Sequence, residues 1–129
     1  MPALDIARRL IRAIEVGDVE TLRVCYHPDL VQIEWPNRLY PQGQRRGLAD
    51  IETDFARGSA ILRRQSYEIT NELDCGDKAM LEIHWTATLN APLGEKQPGD
   101  EIDCRIAAVF DTRDGRIIGQ RNYDCYPPF

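Results

Sequence analysis

Arg116-Ile117-Ile118-Gly119-Gln120-Arg121-Asn122-Tyr123-Asp124-Cys125-Tyr126 opens apolar and turns polar within a few residues. Asp114-Gly115 precedes it, a pair that suits a tight turn, and Ile102 to Phe110 before that is rich in strand formers. The two runs therefore read as a β-hairpin. A strand that begins in a core and ends in Gln120, Arg121, Asn122 and Asp124 enters a cavity or leaves the sheet. The pattern predicts a pocket at that end, with Asn122 and Asp124 on one face because they stand two residues apart. Gln120 and Tyr126 fall on that face too.

Working back from the hairpin, Leu81, Ile83, Trp85, Ala87 and Leu89 alternate with Glu82, His84, Thr86 and Thr88, the clearest half-buried strand in the chain. Its polar face, with His84, is expected outside. From Ser66, Tyr67, Ile69, Asn71 and Leu73 alternate with Glu68, Thr70, Glu72 and Asp74, and Gly76-Asp77 supplies the turn between the two runs. A Pro/Gly-rich connection spans Pro92 to Asp100. These four strands form a meander.

The N-terminal half has a different period. Leu4, Ala7, Leu10, Ile11 and Ile14 recur at helical spacing opposite Arg8, Arg9, Arg12 and Glu15, with Gly17 as the stop. Asp18 suits the N-cap of a shorter helix to about Tyr26, ended by His27-Pro28-Asp29. Leu30 to Trp35 reads as a short strand, and a long loop follows from Pro36 to Gly47, of the length that is usually functional or mobile. Leu48, Ile51, Phe55 and Leu62 mark a third helix to about Arg64. Gly58 inside it predicts either a close approach by another element or a local break. Helices followed by gathered strands argue for an α+β fold, with a curved antiparallel sheet wrapped around helices and a hollow at its wide end.

The 129 residues predict one domain covering 1–129, and 43% hydrophobic content predicts a packed core. A net charge of −5 argues against nucleic acid as a partner. No apolar run suits a membrane span, and the N-terminus lacks the pattern of a secretory signal, so a cytoplasmic location is expected. Cys25, Cys75, Cys104 and Cys125 form no CxxC pair, so buried free thiols are expected and a metal site is not.

The element order resembles the NTF2-like superfamily, specifically its SnoaL-like branch, over nearly the whole chain. Gly17-Asp18 between the first two helices, Glu34-Trp35-Pro36-Asn37, the turn Arg113-Asp114-Gly115-Arg116-Ile117, and Arg121-Asn122-Tyr123 carry the resemblance. It implies a cone in which three N-terminal helices pack on a curved, mostly antiparallel sheet. It also implies one of several uses, since this superfold hosts isomerases, cyclases, hydratases and plain binders. Enzymes of the family place an acid near the end of the first strand, before a proline, which points to Glu34. Counting as in the ketosteroid isomerases lands on Trp35 instead. Alternation groups Trp35 with Val31 and Ile33, opposite Glu34, so a bulge and an outward Glu34 both stay open. Limonene epoxide hydrolases have an acid where this chain has Asn122, and charged partners where it has Ile83 and Trp85; that reaction is rejected here.

The expected enzyme is an isomerase, cyclase or dehydratase acting on a small apolar carbonyl compound by proton transfer, with no metal or organic cofactor. Glu34 would be the base and Asn122, with Tyr126, would orient the oxygen. Trp35, Tyr40 and Trp85 suit a flat apolar ligand, and Gln120, Asp124 and Tyr126 would line the pocket mouth. Arg38, Arg45 and Arg46 could meet an anionic group, although such residues more often pair with Asp and Glu. A non-catalytic binding domain and a protein-interaction adaptor are the competing readings. A homodimer through the outer sheet face is expected.

Overall fold

A computed structural model describes residues 1–129, apart from the side chain of Ser59. Three helices, α1 (Ala3–Val16), α2 (Val19–Cys25) and α3 (Leu48–Ile61), pack on a six-stranded mixed sheet. The strands are β1 (Tyr26–Glu34), β2 (Gln44–Arg46), β3 (Leu62–Asp74), β4 (Lys78–Leu89), β5 (Glu101–Arg113) and β6 (Arg116–Cys125). Their order is β2-β1-β6-β5-β4-β3, so the sheet stays open, with β2 and β3 at its edges. All pairings are antiparallel except β1 with β6.

Local chemistry sets these elements. Helix α1 buries Leu4, Ile6, Ala7, Leu10 and Ile11 along one stripe, and Gly17 ends it at φ 76°, a conformation that glycine adopts without penalty. Asp18 then caps α2, its Oδ1 accepting from the Thr21 amide at 3.1 Å. Asp114 and Gly115, at φ 54° and 74°, make the two-residue turn of the β5–β6 hairpin, flanked by the pair Arg113 and Arg116. The main core lies between the helices and the inner sheet face, where Tyr26, Phe110, Leu10, Leu22, Leu81 and Ile117 are fully buried. A second cluster, Trp85, Ala87, Leu89, Ile102 and Cys104, fills the end of the sheet nearest Leu62, with Tyr126 and Phe129 packed on it.

Three boundaries and one glycine differ from the sequence expectation. His27-Pro28-Asp29 does not end the helix in a free turn. It lies inside β1, where pairing with β6 jumps from Tyr26↔Ile117 to Val31↔Gly119. A proline without an amide hydrogen is accommodated in such an irregularity because nothing there requires its donor. The loop after Pro36 contains β2, and α3 ends at Ile61, so that β3 begins at Leu62. Gly58 neither breaks α3 nor meets another element: a Cβ added there would have no neighbour within 4 Å. The thiols also divide. Cys25 and Cys104 are buried, whereas Cys75 and Cys125 are exposed on strand ends and turns, where no core reaches them.

Candidate functional site

The alternation of β1 decides which residues meet the helices. Leu30, Gln32 and Glu34 are buried, while Val31 and Ile33 are only half-buried and Trp35 is 41% exposed. The apolar set Val31, Ile33 and Trp35 therefore covers the outer face, and the polar set points inward. This inverts the usual pattern of a half-buried strand. No bulge intervenes between Gln32 and Glu34, since both stay in register with Gln120 and Asn122 of β6. Period two alone carries Glu34 inside and Trp35 outside. There Trp35 meets Tyr123 at a ring-centroid distance of 6.1 Å.

Register then gathers polar groups onto one wall. Glu34 and Gln32 of β1 face Gln44 and Arg46 of β2 on one side and Asn122 and Gln120 of β6 on the other. Asp124 lies one step further along β6, opposite Ile106 of β5. Facing this wall across a cavity of about 910 Å³ stand Ile11, Leu22, Ile51 and Phe55 of the helices, with Ile83, Trp85 and Ile106 on the floor. Tyr40, from the β1–β2 loop, is 45% exposed at the cavity edge. Of the sequence-predicted residues, Glu34, Tyr40, Trp85, Gln120, Asn122 and Asp124 line this space. Trp35 lies outside it for the reason just given. Tyr126 is also absent from the lining; it packs in the second cluster, edge-on to Phe129.

Glu34 is fully engaged. Its Oε2 accepts from Asn37 Nδ2 at 2.8 Å and its Oε1 from Gln44 Nε2 at 3.1 Å, with an Arg46 nitrogen 3.9 Å away. Asn37 is itself anchored on both sides. Its Oδ1 accepts from the amides of Leu39 and Tyr40, and its Nδ2 also reaches the Trp35 carbonyl. Gly43 closes the same loop at φ 68°, where an added Cβ would stand 2.7 Å from the Glu34 carbonyl. Gly43→Ala is therefore expected to lower stability by about 1–3 kcal/mol. Thermal melting checks this, and an unchanged midpoint would contradict it.

Asp124 is the opposite case. Its Oδ1 is buried and has no hydrogen-bond partner among the described residues. Burial pushes its carboxyl up to about 7, the negative charge of Glu34 adds to the rise, and Arg46 partly offsets it. Two phenols flank the wall and are held neutral. Burial raises both Tyr67 and Tyr26, and the charges of Asp124 and Glu15 raise Tyr67 further. Trp85 is fixed by its Nε1, which donates to Gln65 Oε1 at 3.0 Å. The site thus holds one carboxylate with a donor on each oxygen, one carboxyl with an unpartnered oxygen that burial pushes up to about 7, and a row of carboxamides. Among the described residues no group of three or more His, Cys, Asp or Glu is placed to hold a metal ion.

Arg46, Gln32 and Tyr26 carry this wall as much as the residues picked out from the sequence. Arg46 donates to Gln32 Oε1 from Nε at 2.9 Å and also from Nη2, and to Asp54 Oδ2 at 2.8 Å from Nη1. Arg38, by contrast, holds the Phe129 carbonyl, and its guanidinium sits 5.1 Å from the Phe129 ring centroid. The available signal for Arg46 was its two-residue offset from Gln44, which places both on one face of β2.

Residues 7–120 match the model of the SnoaL-like domain. IdmH of Streptomyces antibioticus, a candidate polyketide cyclase, superposes with a TM-score of 0.78 at 22% identity, covering 93% of this chain and 89% of that one. AclR of Streptomyces galilaeus, a candidate hydroxylase, also reaches 0.78, at 17% identity over 96% of this chain and 79% of that one. An epoxide hydrolase of M. tuberculosis like the limonene enzymes reaches 0.71, at 21% identity over 95% and 81%. At these identities the likenesses speak for the fold. No curated protein matches the sequence significantly.

Proposed function

Given that the chain belongs to the SnoaL-like domain family, we propose that it binds a small apolar carbonyl compound in the cavity and moves a proton on it. Asp124 is the group that exchanges the proton. The observation that carries this reading is the buried, unpartnered Oδ1 of Asp124 in a cavity wall rich in hydrogen-bonding groups. A structural carboxylate would have its oxygens satisfied, as those of Glu34 are. A carboxyl poised near neutrality can both take and return a proton at ordinary pH. In this reading Glu34 shifts from base to fixed charge, which with burial keeps Asp124 basic enough to accept a proton. Asn122 contacts the substrate oxygen.

The test uses 2-tetralone in D2O as probe. Deuterium at its α-carbon, followed by mass spectrometry, is expected to accumulate faster with protein than in matched buffer, with a rate that rises as pH passes 7. Exchange no faster than in buffer would sink the reading.

The outer sheet face supports a further proposal, pairing with a second copy. Trp35, Tyr123 and Leu73 are 41%, 45% and 50% exposed there, and Trp35 and Tyr123 stand together at a ring-centroid distance of 6.1 Å. Sedimentation velocity should give a mass near twice that of the chain, and Trp35→Glu with Tyr123→Glu should restore the single-chain mass.

A further inference from the structure

The carboxamides on the cavity wall are linked to one another, and the links have a direction. Arg46 can only donate, and two of its nitrogens donate to Gln32 Oε1. That leaves the Gln32 NH2 group to turn toward the Tyr26 hydroxyl, where Gln32 partly offsets the rise that burial causes. The Tyr26 hydroxyl donates in turn to Gln120 Oε1 at 2.6 Å. Gln120 Nε2 donates to Asn122 Oδ1 at 3.1 Å. Tyr26, Gln32 and Gln120 are 1%, 5% and 5% exposed, so a bond lost within the series is a buried one.

An amide usually offers a ligand either its oxygen or its NH2, by a turn of half a circle. Here that freedom is removed at each step. Turning Gln32 over would set its NH2 against two guanidinium N–H groups. Turning Gln120 over would set its NH2 against the Tyr26 O–H. Turning Asn122 over would set two NH2 groups face to face. Each costs an unmade buried hydrogen bond. The end of the series is Asn122, whose Oδ1 accepts from Gln120, while no hydrogen bond among the described residues has Nδ2 as its donor. Asn122 lines the cavity.

We propose that the Arg46–Gln32–Tyr26–Gln120 series locks the Asn122 carboxamide with its NH2 toward the cavity. The site then selects ligands that present a hydrogen-bond acceptor, a carbonyl or enolate oxygen, and rejects isosteres without one. Tyr26, Gln32 and Gln120 are positioning residues in this proposal: they set the direction of Asn122. The inference rests on the carbonyl-binding reading of the cavity for its ligand class, but the direction of Asn122 is a property of the free protein. Enolate charge building on a carbonyl oxygen as Asp124 takes the α-proton would meet this donor, which strengthens as the charge grows.

Two measurements test it separately. Neutron diffraction from crystals of the protein exchanged into D2O should show deuterium on the cavity-facing atom of Asn122. An oxygen there would overturn the proposal whatever the cavity binds. Binding of 2-tetralone is then compared with that of 2-methylenetetralin, which replaces the carbonyl oxygen by carbon. Wild-type protein should prefer the ketone about tenfold, the worth of one good hydrogen bond. The infrared carbonyl stretch of the bound ketone should fall below its value in an apolar solvent. In Gln120→Leu, and in Tyr26→Phe should the first variant not fold, the preference should drop to about threefold or less and the carbonyl stretch should move back up. Equal binding of the two probes by wild type, or full preference retained in the variants, overturns the lock and leaves the cavity reading intact. Failure of both probes to bind, with deuterium in place on Asn122, sinks the carbonyl reading and keeps the lock.

Discussion

Asp124→Asn should lower α-proton exchange of 2-tetralone by about 10²- to 10⁴-fold, the range that removal of a positioned acid–base group costs. Asparagine preserves the shape of the carboxyl and its fit between Ile106 and the cavity, so binding of the ketone should change little. The loss should appear in kcat rather than KM, because the proton is exchanged only in the reaction. Glu34→Gln should cost far less. It keeps an oxygen for one donor and removes a charge, which lets the Asp124 carboxyl fall below 7, since Glu34 is one of the two causes of its rise. The pH profile should therefore move to lower pH in Glu34→Gln and vanish in Asp124→Asn. Equal losses in the two variants would contradict the division of roles.

The same carboxyl makes a second, independent mark on stability. Its value rises on folding from 3.8 to about 7, so the folded chain holds this proton where the unfolded chain has released it. Stability from this group is complete below about pH 4 and is lost as pH rises to about 7. The loss amounts to at most about 4 kcal/mol over those roughly three units. Asp111 works in the other direction and in another window. Its hydrogen bond from Arg121, 2.7 Å long, is the largest cause holding it below the ordinary carboxylate value, and Lys78 adds to this, so its contribution is lost only as pH falls below about 4. The difference between wild type and Asp124→Asn isolates the first effect: the variant should gain on wild type from about pH 4 to 7. Parallel stability curves would show that Asp124 is not held in its neutral form.

The fold was legible where each residue's local demand agreed with the global one. The Asp114-Gly115 turn has one geometry that suits a two-residue hairpin, and β4 alternates without exception from Ala79 to Leu89. β1 could not be read that way. Its apolar residues face outward and its polar ones inward, because the inner face at that edge borders a cavity instead of a core. Periodicity marks two faces and does not say which is dry. The same limit left Arg46 open: a basic cluster after a long loop can meet an anionic group or pair with Asp and Glu, and only the pairing of β2 with β1 turns Arg46 toward Gln32 and Asp54. Asp124 was legible as a lining residue from its spacing with Asn122. Its special state was not, because the missing partner of Oδ1 is a property of three strands together.

Arg46→Leu should be the most damaging single change outside the apolar core. Leucine can occupy the stem of the arginine but none of its hydrogen bonds. Gln32 Oε1, 5% exposed as a residue, would lose both of its donors, and Asp54 would lose its ion-pair partner. The unmade bond at Gln32 costs about 1–3 kcal/mol, and Asp54, nearly half exposed, adds little because water replaces the cation there. A total loss of about 2–3 kcal/mol is expected on denaturant titration. Two further consequences separate this variant from a merely destabilised one. Arg46 is the cation that lowers Asp124, so its removal should move the pH profile of exchange above 7. It is also the group that fixes the direction of the carboxamide series, so the preference for 2-tetralone over 2-methylenetetralin should weaken. Arg46→Lys distinguishes the two roles. An ammonium keeps the positive charge near Glu34 and Asp124 but cannot place two donors on one oxygen in a planar fork. It should restore the pH profile more fully than it restores ligand preference. Recovery of both in equal measure would mean that charge alone, and not the forked donation to Gln32, organises this wall.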